Sequence, residues 1–179
     1  VDDGSIDETA QCAREAGAYV VSHETNKGYG AALKRVFNLA NLWDVDTLVV
    51  IDGDRQHDPD DVPTLVRELN EGGFNVVIGN RFGRERTHSV PFTRHVGLVV
   101  INTLTNVVLR TFCGQEGLSD TQSGFRAYDS TAVELLAESG RLGDGMGISI
   151  DSLFRLSEAH MSVSEMPTTI DYDMEGTST

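Results

Sequence analysis

Cysteine is nearly missing from this chain. Cys12 and Cys113 are the only two in 179 residues, too few for a disulfide framework, and no metal-type spacing links them. Both are read as reduced thiols, which predicts a cytoplasmic setting. With only 4 prolines and 39% hydrophobic residues, the composition is that of a folded protein and excludes global disorder. Positive charge is scarce: 14 Lys and Arg face 28 Asp and Glu, for a net charge of -14. Such a surface repels nucleic-acid phosphate, so DNA and RNA are not expected partners. The acids are dispersed, as in Asp44, Asp46, Asp58, Asp60, Asp61, Glu68 and Glu71. That pattern is a solvated surface, and it suits a high-salt interior where screening removes self-repulsion.

Long apolar runs are missing too. The most apolar stretch, residues 96–113, is broken by Asn102, Asn106 and Arg110. It falls short of the unbroken ~18 apolar residues of a spanning helix and predicts a buried or membrane-surface helix. There is no visible secretory leader, and there are no repeats, linkers or low-complexity tracts. The chain opens without Met on a motif that should follow a buried strand, and it stops straight after another strand. We expect a single domain truncated at both ends.

What the chain does have is 18 glycines and an alternation of strand-like and helix-like segments. Residues 6–17 predict a helix with Asp7 as its cap and Gly17 as its end; 18–22 predict a strand. Residues 28–42 place Ala31, Ala32, Val36, Phe37, Leu39 and Ala40 at helical spacing. A continuous apolar strand is predicted at 47–51, a helix at 60–71 and another buried strand at 75–78. Beyond a loop at 82–91 come the apolar helix, a turn region at 114–124 and the segment 125–128. Helices at 130–138 and 149–160 and a strand at 162–172 complete the pattern. This order predicts an α/β fold, a mainly parallel sheet with helices on both faces. Ligands bind such sheets at the carboxyl ends of the strands, and the polar clusters fall there: Asp2-Asp3-Gly4-Ser5, Asp52-Gly53-Asp54 and Gly79-Asn80-Arg81.

Asp52 and Asp54 directly follow a buried strand. If the chain stays extended they point the same way, with Gly53 leaving the backbone open. Two carboxylates on one face repel unless a cation joins them, and hard oxygen ligands suit Mg2+ or Mn2+ completed by substrate phosphates and water. Gln56 and His57 follow within reach. Asp2 and Asp3 precede a turn through Ser5 into a helix, where a carboxylate can meet a ribose or base, or simply cap the helix. The segment from Asn26 through Lys27, Gly28, Tyr29 and Gly30 has the character of a nucleotide-contacting loop without P-loop spacing. Arg81, Arg94 and Arg126 stand at turns near the ligand edge, suited to phosphate or to ordinary ion pairs.

Taken in order, VDDGSIDET, NKGYGAAL, VVIDGDRQHDPDDVPTL, VVIGNRF, PFTR and SGFRAY resemble glycosyltransferase family 2, nearest its polyprenyl (dolichyl) phosphate mannosyl/glucosyltransferase branch. The resemblance implies the nucleotide-diphospho-sugar transferase (GT-A) fold, here lacking the opening strand with its Pro-x-Tyr-Asn-Glu-like motif. It implies that Asp2 and Asp3 contact the nucleoside and that Asp52 and Asp54 form the DxD metal site, with Gln56 as a third ligand. Arg81, Arg94 and Ser123 through Arg126 would line the donor diphosphate and the acceptor. The expected activity is inverting transfer of a sugar from a UDP- or GDP-sugar to a lipid phosphate. That phosphate needs no base, whereas a glycan hydroxyl would need a carboxylate such as Asp120 to take its proton. Asp54, Arg126 and Asp120 are thus the candidate catalytic residues. The 96–113 helix would meet the cytoplasmic face of a membrane, or pack in the core.

A signalling receiver also places an acid after a strand, but Gly53 through His57 is the wrong sequel and no Lys-Pro turn follows. A sugar nucleotidyltransferase would need a Gly-rich Arg-Lys loop that is missing. An inactive nucleotide-sugar-binding domain is the remaining alternative.

Overall fold

The computed structural model describes residues 1–82, 92–113, 117–140, 142, 143, 145 and 147–169, with residues 92–98 and 112–113 described as backbone only. Helix α1 (Thr9–Glu15) is followed by α2 (Tyr29–Leu42), strand β1 (Thr47–Val50), a 3-10 turn (Pro59–Asp61), α3 (Val62–Gly72) and β2 (Val76–Asn80). Next come α4 (Phe92–Val108), continued by a π-helical turn (Leu109–Cys113), then β3 (Arg126–Asp129), α5 (Ser130–Glu138), α6 (Ile148–Glu158) and β4 (Val163–Pro167).

The four strands form one sheet in the order β1-β3-β2-β4. β2 and β4 pair in parallel, with Val76 opposite Val163. β3 runs antiparallel between β1 and β2, so that Val49 and Val77 both face Ala127. Hence β1, β2 and β4 share one direction, as helical crossovers require, and β3 is the reversed member. Its short segment, 126–129, carries no sequence sign of direction. The expected strand at 18–22 is reduced to one parallel bridge between Asp2 and Ser22.

Alternation along the strands divides the core. Val76, Ile78 and Tyr128 bury against Phe37 of α2, Val133 and Leu136 of α5, and Leu153 and Leu156 of α6. On the opposite face Val77, Ala127, Phe125 and Met166 pack on Leu65 and Leu69 of α3. All five residues of β2 are buried, which is why its sequence reads as a continuous apolar run. Helices therefore cover both faces. Phe37 is fully buried and meets the Tyr128 ring edge-on, with centroids 5.2 Å apart; such pairs add to simple burial.

Boundaries follow local chemistry. Asp129 caps α5 by accepting the Ala132 N–H at 2.7 Å. Gly73, at φ +68°, ends α3 in the left-handed conformation. Helix α4 begins earlier than the apolar pattern, and its outer residues are not core: Val100, Leu104 and Val107 are 51%, 62% and 56% exposed. Among the described residues no helix is long and apolar enough to cross a membrane. The loop expected at 82–91 lies outside the described residues beyond Phe82, as do residues 114–116 and 170–172 of the expected turn and last strand.

Candidate active site

The chain leaves β1 at Val50 and turns at once. It does not stay extended through Asp52 and Asp54 as expected: Gly53 and Asp54 form a turn, Arg55 adopts φ +65°, and Asp54 Oδ1 accepts the Gln56 N–H at 2.9 Å. Both acids nonetheless line one cavity of about 610 Å³, with Tyr29, Gln56, His57, Arg81, Gln122, Gly124 and Ser149. The cavity lies at the carboxyl ends of β1 and β2, where an α/β sheet presents its ligands.

Asp52 is half-buried, and its carboxyl is pushed above the usual range, first by burial and then by the neighbouring Asp54. Arg81 and Arg126 pull it back down. Two carboxylates lining one cavity favour a cation between them. Among the described residues no three His, Cys, Asp or Glu side chains gather into a metal cluster. The donor set on hand is two carboxylates and the Gln56 amide, all oxygen ligands, which fits Mg2+ or Mn2+ with substrate oxygens and water filling the shell. Gly124 makes the room: a Cβ there would fall 2.5 Å from Asp52 Oδ2 and 2.9 Å from the Tyr29 hydroxyl. The Tyr29 phenol is raised by burial first, then by the Asp52 charge.

Arg81, at the end of β2, faces this cavity and is locked in place. Its Nε and Nη2 donate to the two oxygens of Asp120 at 2.7 and 2.8 Å, and its backbone N–H donates to Oδ2 at 3.0 Å. Asp120 is 2% exposed. Both oxygens of this buried carboxylate are taken by Arg81 donors and Asp120 does not line the cavity, whereas the expectation from sequence has it take the proton if the acceptor is a sugar hydroxyl. His57 packs its ring on Phe125, and burial followed by the Arg81 charge lowers its pKa.

Arg126 also stands apart from the cavity lining. It is 1% exposed, and its guanidinium donates to the carbonyls of Ser123, Thr121 and Ser149 and to the Ser152 hydroxyl. The sequence places it at the ligand edge; in the fold it points inward and holds the 121–124 loop against α6. Ser123 is likewise fully buried, accepting the Phe125 N–H, and neither side chain lines the cavity. The side chain of Arg94 lies outside the described residues.

Asp2, Asp3, Ser5, Lys27 and Gly28 form a second cluster that does not line the cavity. Asp3 accepts the N–H groups of Lys27 and Gly28 at 2.9 and 2.7 Å and lies 2.6 Å from the His23 ring. Asp2 accepts the Ser5 N–H at 3.2 Å. Gly4 allows close approach: a Cβ there would sit 2.6 Å from the Thr25 carbonyl carbon. The cluster thus carries the loop that ends at Tyr29, and Tyr29 enters the cavity. Tyr29 stands in the Gly-rich loop that the sequence singled out, whereas Gln122 and Ser149 carry no sequence signal because each stands in an unremarkable polar context.

An acid pair at a strand end, a locked arginine and Gly124 thus meet in one cavity at the carboxyl edge of the sheet. Residues 1–136 match Glycosyl transferase family 2, and the chain belongs to that family. Over 160 residues it is 28% identical to the UDP-N-acetylglucosamine--dolichyl-phosphate N-acetylglucosaminyltransferase of Methanococcus voltae, covering 77% of this chain and 60% of that protein. Over 176 residues it is 30% identical to the polyprenol monophosphomannose synthase of Mycolicibacterium smegmatis, covering 94% and 64%. The structure of glucosyl-3-phosphoglycerate synthase from Mycobacterium tuberculosis in complex with Mn2+ and uridine-diphosphate-glucose matches with a TM-score of 0.65 at 27% identity, covering 95% of this chain and 58% of that one. The chain spans about three fifths of the length of these relatives. Family membership replaces the receiver-domain alternative.

Proposed function

We propose that this domain catalyses inverting transfer of a sugar from a UDP- or GDP-sugar to a polyprenyl or dolichyl phosphate. The observation that carries this reading is the cavity in which Asp52, Asp54 and Arg81 converge. Asp52, Asp54 and Gln56 would hold Mg2+ or Mn2+. When bound, the cation supplies charge neutralisation at the departing diphosphate.

The remaining roles fall to the chain itself. Arg81, held rigid by Asp120, supplies a fixed positive charge that needs no reorganisation during the reaction. Gly124 and Tyr29 shape the wall beside Asp52. The Asp3 cluster orders the loop ahead of α2, with Asp2, Ser5 and Lys27 on the nucleoside side. A phosphate acceptor is already ionised and needs positioning, not a base. The engagement of Asp120 by Arg81 favours that acceptor over a glycan hydroxyl, which would call on a free carboxylate. The names of the two curated relatives, which carry dolichyl phosphate and polyprenol monophosphomannose, support the same choice. The exposed apolar side chains of α4 suit peripheral contact with the membrane that presents such a lipid, at its cytoplasmic face.

Calorimetry of the protein with UDP and with GDP, in Mn2+ and in EDTA, tests the reading. Binding should need the metal, and Asp54→Ala should weaken it by at least about tenfold, the equivalent of ~1.4 kcal/mol. Undiminished affinity in Asp54→Ala would remove the metal assignment.

A further inference from the structure

A chain of short contacts reaches Arg81 from behind, starting on the edge strand β4. Glu165 lies there opposite Ile78 of β2. Its Oε1 accepts the Asp120 N–H at 2.7 Å and its Oε2 the Ser119 N–H at 2.8 Å, with Asn80 Nδ2 3.4 Å from Oε2. Both carboxylate oxygens are thus committed to two successive amides of a loop 45 residues away in sequence. That loop is otherwise irregular between Gly117 and Arg126, so its register against β2 depends on such anchors. The next link is the Asp120 carboxylate on Arg81, and the last is Arg81 facing the acid pair.

We propose that Glu165 is a positioning residue for the diphosphate site: by fixing the Ser119 and Asp120 amides it sets the Asp120 carboxylate and, through it, the Arg81 guanidinium across from Asp52 and Asp54. This rests on the cavity being the diphosphate site proposed above. The carboxylate is required as such. A glutamine at 165 offers one acceptor oxygen and leaves one loop amide facing a donor. A displaced loop moves the fork to which Arg81 is tied, and a long arginine stem regains its rotamer freedom.

The test uses the full chain as wild type, Glu165→Gln, Arg81→Ala and the double variant, titrated with UDP in Mn2+. Glu165→Gln should weaken binding about tenfold, the scale of one lost charge-assisted hydrogen bond. In the Arg81→Ala background the same change should add nothing, since the residue through which it acts is gone. Equal losses in both backgrounds would mean a general structural role and would overturn the proposal, as would unchanged affinity in Glu165→Gln alone. Amide and guanidinium hydrogen exchange gives a readout free of nucleotide: Arg81 Nε–H should exchange faster in Glu165→Gln while the Val76–Asn80 amides keep their protection. Unchanged Arg81 exchange refutes the coupling. If the wild type binds no UDP, the functional reading fails, and the exchange result alone still decides whether Glu165 holds Arg81.

Discussion

The Asp52 carboxylate rests against the bare Cα of Gly124, so closely that a methyl group there would lie 2.5 Å from Oδ2. Asp52 and Gly124 are 72 residues apart, yet each defines what the other can be. Gly124→Ala should therefore push Asp52 off its position. Mn2+-dependent UDP affinity should fall at least about tenfold, while stability drops by only about 1–3 kcal/mol, the usual scale for overpacking. Calorimetry and urea denaturation read the two quantities separately. Normal affinity in Gly124→Ala would show that Asp52 is free to move without consequence.

Arg126 makes a contrasting forecast. Truncating it strands the carbonyls of Thr121, Ser123 and Ser149 in the interior. Arg126→Ala should cost about 3–5 kcal/mol in urea denaturation, as for other buried networks broken on one side. A variant of native stability that had lost UDP binding would instead return Arg126 to the ligand.

Acid should loosen the loop ahead of α2. Burial raises the Asp3 carboxyl, but the His23 ring and the N–H groups of Lys27 and Gly28 outweigh it, and the net shift is downward from 3.8. A carboxyl depressed on folding adds stability that is fully present above the unfolded value, near 3.8, and is lost as pH falls through the lower folded value. The Lys27 and Gly28 amide resonances should accordingly shift together below pH ~4. In Asp3→Asn that titration should vanish; its persistence would assign the transition to another acid.

Exposed apolar side chains on α4 forecast membrane contact. Leu104→Glu with Val107→Glu should abolish co-sedimentation with neutral phosphatidylcholine vesicles, the appropriate test surface for a chain of net charge -14. Stability should change by no more than about 0.5 kcal/mol, as for other surface positions. Equal sedimentation of the variant would show that this face does not meet lipid.

The class of fold and the acid pair were legible in the sequence because both depend on near neighbours. A buried strand must read as an apolar run, as β2 does, and the acid pair stands within four residues of the end of β1. The direction of β3 was not legible, since four residues pair equally well either way until β1 and β2 flank them. Nor were the fates of the arginines. As letters in turn-rich segments, Arg81 and Arg126 look alike; packing sends one to the cavity wall and the other inward.

The amino-acid sequence by itself determined the helix and strand periods, the placing of polar clusters at strand ends and the family of the chain, all of which are properties of adjacent residues. Only the tertiary structure decided which charges are engaged. Asp120 is spent on Arg81, and Arg126 on its loop, because a buried ion must find partners wherever the fold brings them. Those partners lie 39 and 23 residues away in the Arg81–Asp120 and Arg126–Ser149 contacts, beyond the reach of any local pattern.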